Sequence, residues 1–213
     1  MSSQDKLGKM NSLRAAWNNC SRCPLASLRK KIVWGDGNIN AKLVFIGEAP
    51  GGDEDEHGKP FIGDAGHKLD AMLAAVRISR SDIWITNTCM CRPKLTGVPG
   101  KTNRAPTVKE ISACFPRLEE EINIIRPEII VLAGNTPLLL ATGKRGITKN
   151  RGWQKAVWNG DGFVVSKIYA TLHPASLLYG SAEQRKTKGL WMYEDWLDIA
   201  RSLSSVKKSQ RDN

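Results

Sequence analysis

The sequence predicts an α/β protein: a three-layer α/β/α sandwich around a central, mostly parallel four-stranded sheet. Three observations carry that prediction. Four short apolar runs, at 42–46, 83–86, 129–132 and 164–171, have strand length and are separated by segments of helical length. Three of them end in polar residues, Glu48, Asn87 and His173, as strands do when they deliver ligand-binding groups to one edge of a sheet. The first run also opens into a glycine-rich loop, GEAPGGDEDEHGKPFIGDAG at 47–66, that leads into a helix.

Taken in order, residues 12–19 predict a short helix leading to Cys20-x-x-Cys23-Pro24. A basic strip follows, Arg29-Lys30-Lys31, then a turn at Gly35-Asp36-Gly37. Beyond the first strand and its loop, a helix at 65–76 places Leu69, Met72, Leu73 and Val76 on one face. Ser81-Asp82 leads into the second strand. Residues 92–106 hold three prolines, two glycines and four basic residues, which is loop composition. Thr107 and Glu110 have the spacing of a capping box, and they start a helix whose buried face carries Ile111, Cys114, Leu118, Ile122 and Ile125. Pro116 inside it predicts a kink or a restart. The third strand ends at Ala133-Gly134-Asn135 and a further helix follows. The fourth ends at His173-Pro174, ahead of a C-terminal helix over roughly 183–203 that carries Leu190, Trp191, Glu194, Leu197 and Leu203. With no internal repeat and no composition break, residues 1–213 read as one domain, with 204–213 as a flexible basic tail.

With 32 Lys+Arg against 21 Asp+Glu, the net charge is +11. That balance suits a nucleic-acid partner bound through its phosphates, or simply a soluble basic protein. No apolar run is long enough to span a membrane, and the N-terminus lacks the apolar stretch of a secretory signal. The expectation is a cytoplasmic, nucleoid-associated monomer of prokaryotic or viral type.

The glycine loop is neither a P-loop, since no Gly-Lys-Ser/Thr follows, nor a dinucleotide fingerprint. It carries five acids within nine residues: Glu48, Asp53, Glu54, Asp55 and Glu56. An acidic loop in a basic chain suggests chemistry on a group attached to a polyanion. Cys20, Cys23, Cys89, Cys91 and Cys114 argue for a metal centre rather than disulfides in such a compartment. Four thiolates, Cys20, Cys23, Cys91 and Cys114, suit either zinc or a [4Fe–4S] cluster. Only one close pair is present, which favours the cluster over a compact zinc ribbon, and Cys89 is the spare.

Gly47-Glu48-Ala49-Pro50-Gly51, Glu54-Asp55 and Gly58-Lys59-Pro60-Phe61-Ile62-Gly63 together resemble the first motif of the family-four uracil-DNA glycosylases, the iron–sulfur members of their superfamily. The likeness continues through Asn87, Cys91-Arg92-Pro93, Asn103-Arg104-Ala105-Pro106 and Arg151-Gly152 to Thr171-Leu172-His173-Pro174-Ala175-Ser176-Leu177-Leu178. The resemblance implies a monofunctional glycosylase that cleaves uracil from deoxyribose in DNA and leaves an abasic site. It implies Phe61 as a stacking platform for the extruded base, with Gly47 and Ala49 beside it and Asn87 reading the uracil edge. It implies His173 as a donor to the uracil carbonyl, and Glu48 as the carboxylate that stabilises the sugar cation and positions water, with Glu54 assisting. Pro174, Ser176 and Arg104 are implied DNA contacts. Leu177 and Leu178 read either as the wedge that fills the vacated space in the duplex or as the start of a buried helix. Arg29, Lys30, Lys31, Arg92, Lys94 and Lys101 join Arg104 as candidate phosphate contacts.

Between Cys91 and Cys114 stand 22 residues, longer than the family interval, with the excess in 95–102. A relative of the family carries a histidine in an insertion nearby that becomes attached to the abasic sugar. This chain's histidines are His57, His67 and His173, so that trapping chemistry is not expected. Two other readings compete: the same fold acting on hypoxanthine or xanthine, and a non-catalytic nucleic-acid-binding module with a Cys₄ zinc site.

Overall fold

The computed structural model describes residues 1–95, 97, 102–155 and 167–209, with side chains to residue 205 of the last helix. Its sheet contains β1 (Asp36–Gly37), β2 (Leu43–Gly47), β3 (Trp84–Asn87), β4 (Ile129–Ala133), β5 (Gly152–Gln154) and β6 (Lys167–Thr171), in the order β1-β3-β2-β4-β6-β5. The four expected strands form its parallel centre, β3-β2-β4-β6. The expected four-stranded sheet is therefore six-stranded among the described residues, because short antiparallel strands β1 and β5 pair onto its two edges. They have two and three residues and no apolar run, so their sequences carry no strand signal. Residues 164–166, expected in the fourth strand, lie outside the described residues.

Both faces of the parallel strands are covered, which is why β2 and β4 read as unbroken apolar runs and are buried at every position. Alternate residues serve opposite layers. Val44, Ile46, Trp84, Ile130 and Leu132 pack with Met10, Leu13 and Trp17 of α1 (Ser3–Trp17) and with Leu118 and Ile122 of α4 (Val108–Ile125). Leu43, Phe45, Ile85, Ile129 and Val131 pack with Leu69 and Leu73 of α3 (Asp64–Ala75) and with Trp196 and Ile199 of α6 (Ala182–Ser209). This is the expected three-layer sandwich. Each of these fully buried side chains contributes about 1.5–3 kcal/mol of burial.

Four helices differ from expectation. The first begins at Ser3 rather than near residue 12, because Ser2 and Asp5 form a capping box ahead of two polar turns that apolar periodicity does not report. Part of the glycine loop is itself a short helix, α2 (Gly52–His57), with Asp53, Glu54 and Asp55 in its first turn, where the helix dipole favours carboxylates. The third, α4, passes through Pro116 as one element, so of the expected kink or restart it shows no restart. It is clamped on either side of the proline: Cys114 and Leu118 are buried, and Arg117, fully enclosed, pairs with Glu121 one turn on. The C-terminal helix runs on to Ser209, through the first part of the expected tail; residues 210–213 lie outside the described residues. Among the described residues no helix is long and apolar enough to cross a membrane.

Candidate active site

Parallel register brings the strand ends to one level. Gly47 at the end of β2 lies beside Asn87 at the end of β3, and Ala133 of β4 lies beside Thr171 of β6. Over this edge opens a cavity of about 450 Å³. Eight of the expected residues line it: Glu48, Ala49, Glu54, Phe61, Asn87, Arg104, His173 and Ser176.

Gly47 makes the floor possible. A Cβ there would stand 2.4 Å from Asn87 Oδ1 and 2.5 Å from Phe61 Cζ, so only glycine lets both side chains approach the strand end. Phe61 is held in the left-handed region at φ 52°, which costs an L-residue roughly 1–2 kcal/mol. Gly66 permits that conformation, since a Cβ at 66 would lie 1.9 Å from the Phe61 carbonyl oxygen. The Phe61 ring meets Phe45 edge-on at 5.2 Å between centroids and lies 5.6 Å from the His173 ring. Asn87 is buried, yet its Oδ1 has no hydrogen-bond partner. A buried amide oxygen left unsatisfied is costly, and this one belongs to a residue that lines the cavity. Ser176 Oγ, on the same wall, is also buried without a partner.

His173 Nδ1 accepts a hydrogen bond from the Ala175 N–H at 3.2 Å. The neutral ring therefore carries its proton on Nε2 and donates from there. Burial pushes its pKa from 6.5 down to about 4. His173 is expected to stay neutral between about pH 5.5 and 8, so that the donor is an imidazole and not an imidazolium. The unfolded ring binds a proton more readily between 6.5 and 4, so this residue's contribution to stability is complete above pH 6.5 and is lost as the pH falls through 4. An NMR titration of the His173 ring checks this, and a midpoint above pH 6 would contradict it.

The two candidate carboxylates have different surroundings. Glu48 Oε2 accepts from Thr136 Oγ1, at the start of α5 (Asn135–Thr142), and Glu48 is only partly buried on the cavity wall. Glu54 instead accepts three backbone N–H groups, from Gly51 at 2.9 Å to Oε2 and from Ile62 at 3.0 Å and Gly63 at 2.9 Å to Oε1. Those bonds tie both ends of the loop to α2, so Glu54 shapes the loop that presents Phe61. Asp55 does similar work by accepting from the Lys30 N–H at 2.8 Å.

Several expected DNA contacts have other partners. Both Arg104 terminal nitrogens donate to Glu110, at 2.8 and 2.7 Å, and this pairing holds the Glu110 carboxyl down at about 2. Arg104 is thus a strut between the cavity and α4. Lys30 pairs with Glu56, Arg92 Nε donates to Asn103, and Arg29 donates to the Cys20 carbonyl. Lys101 lies outside the described residues. Leu177 is a correction to the wedge reading: it is 9% exposed and packs with Leu138, Ile147, Leu172 and Met192, so it is core. Pro174 is buried as well, and neither it nor Leu178 lines the cavity.

Just past the end of β3, against α1 and α4, one crevice is lined by all five cysteines, with Trp17, Leu25, Ala26 and Met90 as its apolar walls. Two guanidinium groups approach the sulfurs: Arg29 Nη1 lies 3.6 Å from Cys91 Sγ, and Arg117 Nη2 lies 3.6 Å from Cys114 Sγ. The Cys89 thiol donates to Cys114; this bond and the Arg117 guanidinium lower Cys114, while the same bond and burial drive Cys89 strongly upward against the pull of Arg117. Burial pushes Cys91 up to about 11. Among the described residues no three His, Cys, Asp or Glu groups converge as a single bound ion requires. The donor set itself, several thiols in an apolar crevice with cationic groups behind the sulfurs, fits a thiolate-held centre.

The family model described as the uracil DNA glycosylase superfamily matches residues 34–199, which include the cavity and most of the sheet. A type-4 uracil-DNA glycosylase of Thermotoga maritima is 37% identical over 191 residues, covering 89% of this chain and 90% of that one. The chain belongs to the type-4 uracil-DNA glycosylases. Another type-4 enzyme, from Saccharolobus solfataricus, is 37% identical over 192 residues, which is 87% of this chain and 82% of the relative. A third, from Sulfurisphaera tokodaii, is 38% identical over 76% of this chain and 72% of its own.

In this type-4 member, sequence reasoning missed two residues on the cavity side. Thr136, the partner of Glu48, follows the end of β4, the one parallel strand whose end was not read as part of the site. Its signal was positional: all four parallel strands finish at this edge. Tyr179 lines the cavity while 69% exposed, one residue beyond the motif that ends at Leu178.

Proposed function

We propose that this protein removes uracil from DNA by hydrolysing its N-glycosidic bond to deoxyribose, leaving an abasic site. The observation that carries the reading is Asn87. Its amide oxygen is buried and unsatisfied, and the residue lines the same cavity as an aromatic ring, a neutral imidazole and a carboxylate. An extruded uracil would stack on Phe61, and the Asn87 amide would read its edge and disfavour cytosine. The Nε2–H of His173 would donate to the carbonyl oxygen on which charge accumulates as the base leaves. Glu48 would stabilise the cationic sugar and position the attacking water. Glu54 acts as a positioning residue through the loop. Extrusion costs a few kcal/mol and least at a mismatch, so uracil opposite guanine is the favoured duplex substrate.

Cys20, Cys23, Cys91 and Cys114 are assigned to hold a [4Fe–4S] cluster, with Cys89 as a thiol donor beside Cys114. Such a centre, when bound, supplies a cross-link between the N-terminal segment, the end of β3 and α4. The chain is taken to work as a monomeric single domain on DNA in the cytoplasm.

The test is release of base from oligonucleotides carrying uracil, single-stranded or opposite guanine or adenine, with alkali to reveal abasic sites. Hypoxanthine and xanthine substrates run alongside, and iron and zinc are measured on the same protein. Uracil release by a brown, iron-containing protein is expected. Release of only the purine bases would move the substrate, and zinc-containing protein with no release from any of them would favour the binding module.

A further inference from the structure

Tyr179 stands at the mouth of the cavity, and the residues around it are placed to hold it there. It lines the same cavity as Phe61, Asn87 and His173, yet is 69% exposed, the highest exposure of any large apolar or aromatic residue lining that cavity. Its backbone is anchored from several sides. Leu177, two residues earlier, is sunk in the core, and the Leu178 N–H donates to the Ala175 carbonyl at 3.0 Å within the short turn 174–177. Lys188 Nζ donates to the Ser176 carbonyl at 3.2 Å and to the Tyr179 carbonyl at 3.4 Å. Arg185 donates to the Gly180 carbonyl at 2.6 Å, and Ser181 and Gln184 bond reciprocally to start α6. An aromatic side chain is thus presented to solvent on a clamped backbone.

The surface beside it is cationic. The first two turns of α6 carry Arg185, Lys186 and Lys188 against a single acid, Glu183. A ring on a fixed turn, bordered by positive charge and overlooking a base-sized cavity, matches a base pair flanked by phosphates. Resting on the reading of the cavity as a uracil site, we propose that Tyr179 is the residue that enters the duplex and stacks in the space left by the extruded nucleotide. Leu177 supports it from the core. Sterically this is a role for the ring and not the hydroxyl: an aromatic face stacks on any neighbouring base.

That role matters only where there is a stack to refill, so duplex and single-stranded substrates separate it from a general effect on the pocket. Uracil release would be measured under single-turnover conditions from a uracil–guanine duplex and from the same strand alone. In the duplex, 2-aminopurine next to the uracil reports unstacking by its fluorescence. Tyr179→Ala is expected to lower the duplex rate by about tenfold more than the single-strand rate and to shrink the 2-aminopurine change, while Tyr179→Phe keeps the wild-type ratio. Leu177→Ala is expected to lower the melting temperature and to slow both substrates by a similar factor. Equal losses on the two substrates in Tyr179→Ala, or a Tyr179→Phe that behaves like it, would overturn the assignment. A wild type that releases no uracil from either substrate would overturn the uracil reading beneath it.

Discussion

Glu48→Gln is expected to slow uracil release by about two to four orders of magnitude with little change in melting temperature, the range typical of a lost acid–base or charge-stabilising group. The substitution is nearly isosteric. A glutamine amide oxygen can still accept from Thr136 Oγ1, so the local structure keeps its hydrogen bond and only the negative charge is removed. Breaking the glycosidic bond leaves positive charge on the sugar, and a fixed carboxylate at the cavity wall interacts with that charge more strongly in the transition state than in the ground state. The loss should therefore appear in the single-turnover rate, with DNA affinity little affected or slightly raised. Thr136→Val, which removes only the hydrogen bond, should cost much less, because it loosens the carboxylate without neutralising it. A Glu48→Gln rate within about fivefold of wild type would remove the carboxylate from the chemistry and turn attention to His173 alone.

Arg117→Ala is expected to destabilise the fold by about 3–5 kcal/mol, the range for breaking a buried ion pair from one side. Arg117 is fully buried and its guanidinium serves five partners. It donates to Glu121 Oε2 at 2.6 Å, to Thr86 Oγ1 at 3.3 Å, to the carbonyls of Asn87 at 2.9 Å and Thr88 at 3.2 Å, and towards Cys114 Sγ at 3.6 Å. Removing it leaves a buried carboxylate without its cation and two strand-end carbonyls without donors. For a chain of this size that corresponds to a melting temperature lower by roughly 10 °C. Arg117→Lys keeps the charge but not the planar fork, and it should recover only part of the loss. Combining Arg117→Met with Glu121→Leu should be less damaging than Arg117→Ala, since both charges leave together. Trp84 Nε1 and Thr86 Oγ1 then lose their acceptor, so recovery stays incomplete. A single Arg117→Ala cost below about 1 kcal/mol by denaturant titration would mean that water reaches Glu121 and that the pair is not buried in solution. The position also has functional weight. One side chain touches both the strand end that carries Asn87 and a cysteine of the crevice, so, on the proposal that the crevice holds an iron–sulfur cluster, Arg117→Ala should lower bound iron along with stability.

The sequence by itself determined the parallel centre of the sheet, the order of its strands and helices, and the residue types that meet over its carboxyl edge. It could do so because those features are local: apolar runs of strand length, helical periodicity in α3 and α4, the capping residues Thr107 and Glu110, and a glycine loop at a fixed place after a strand. It failed where the local signal was weak, at β1, β5 and the polar start of α1. Only the tertiary structure decided what each side chain does once the chain is folded. Glu48 finds its hydroxyl partner 88 residues away, whereas Glu54, in the same loop, spends both oxygens on backbone N–H groups. Arg104 is taken up by Glu110, and Leu177, which read either as a duplex wedge or as buried, is packed inside while a tyrosine two residues later stands out. Periodicity and motif spacing fix which way a segment faces. They do not fix the competition between partners that are distant in sequence for the same buried hydrogen bond or the same apolar space, and that competition assigned the roles.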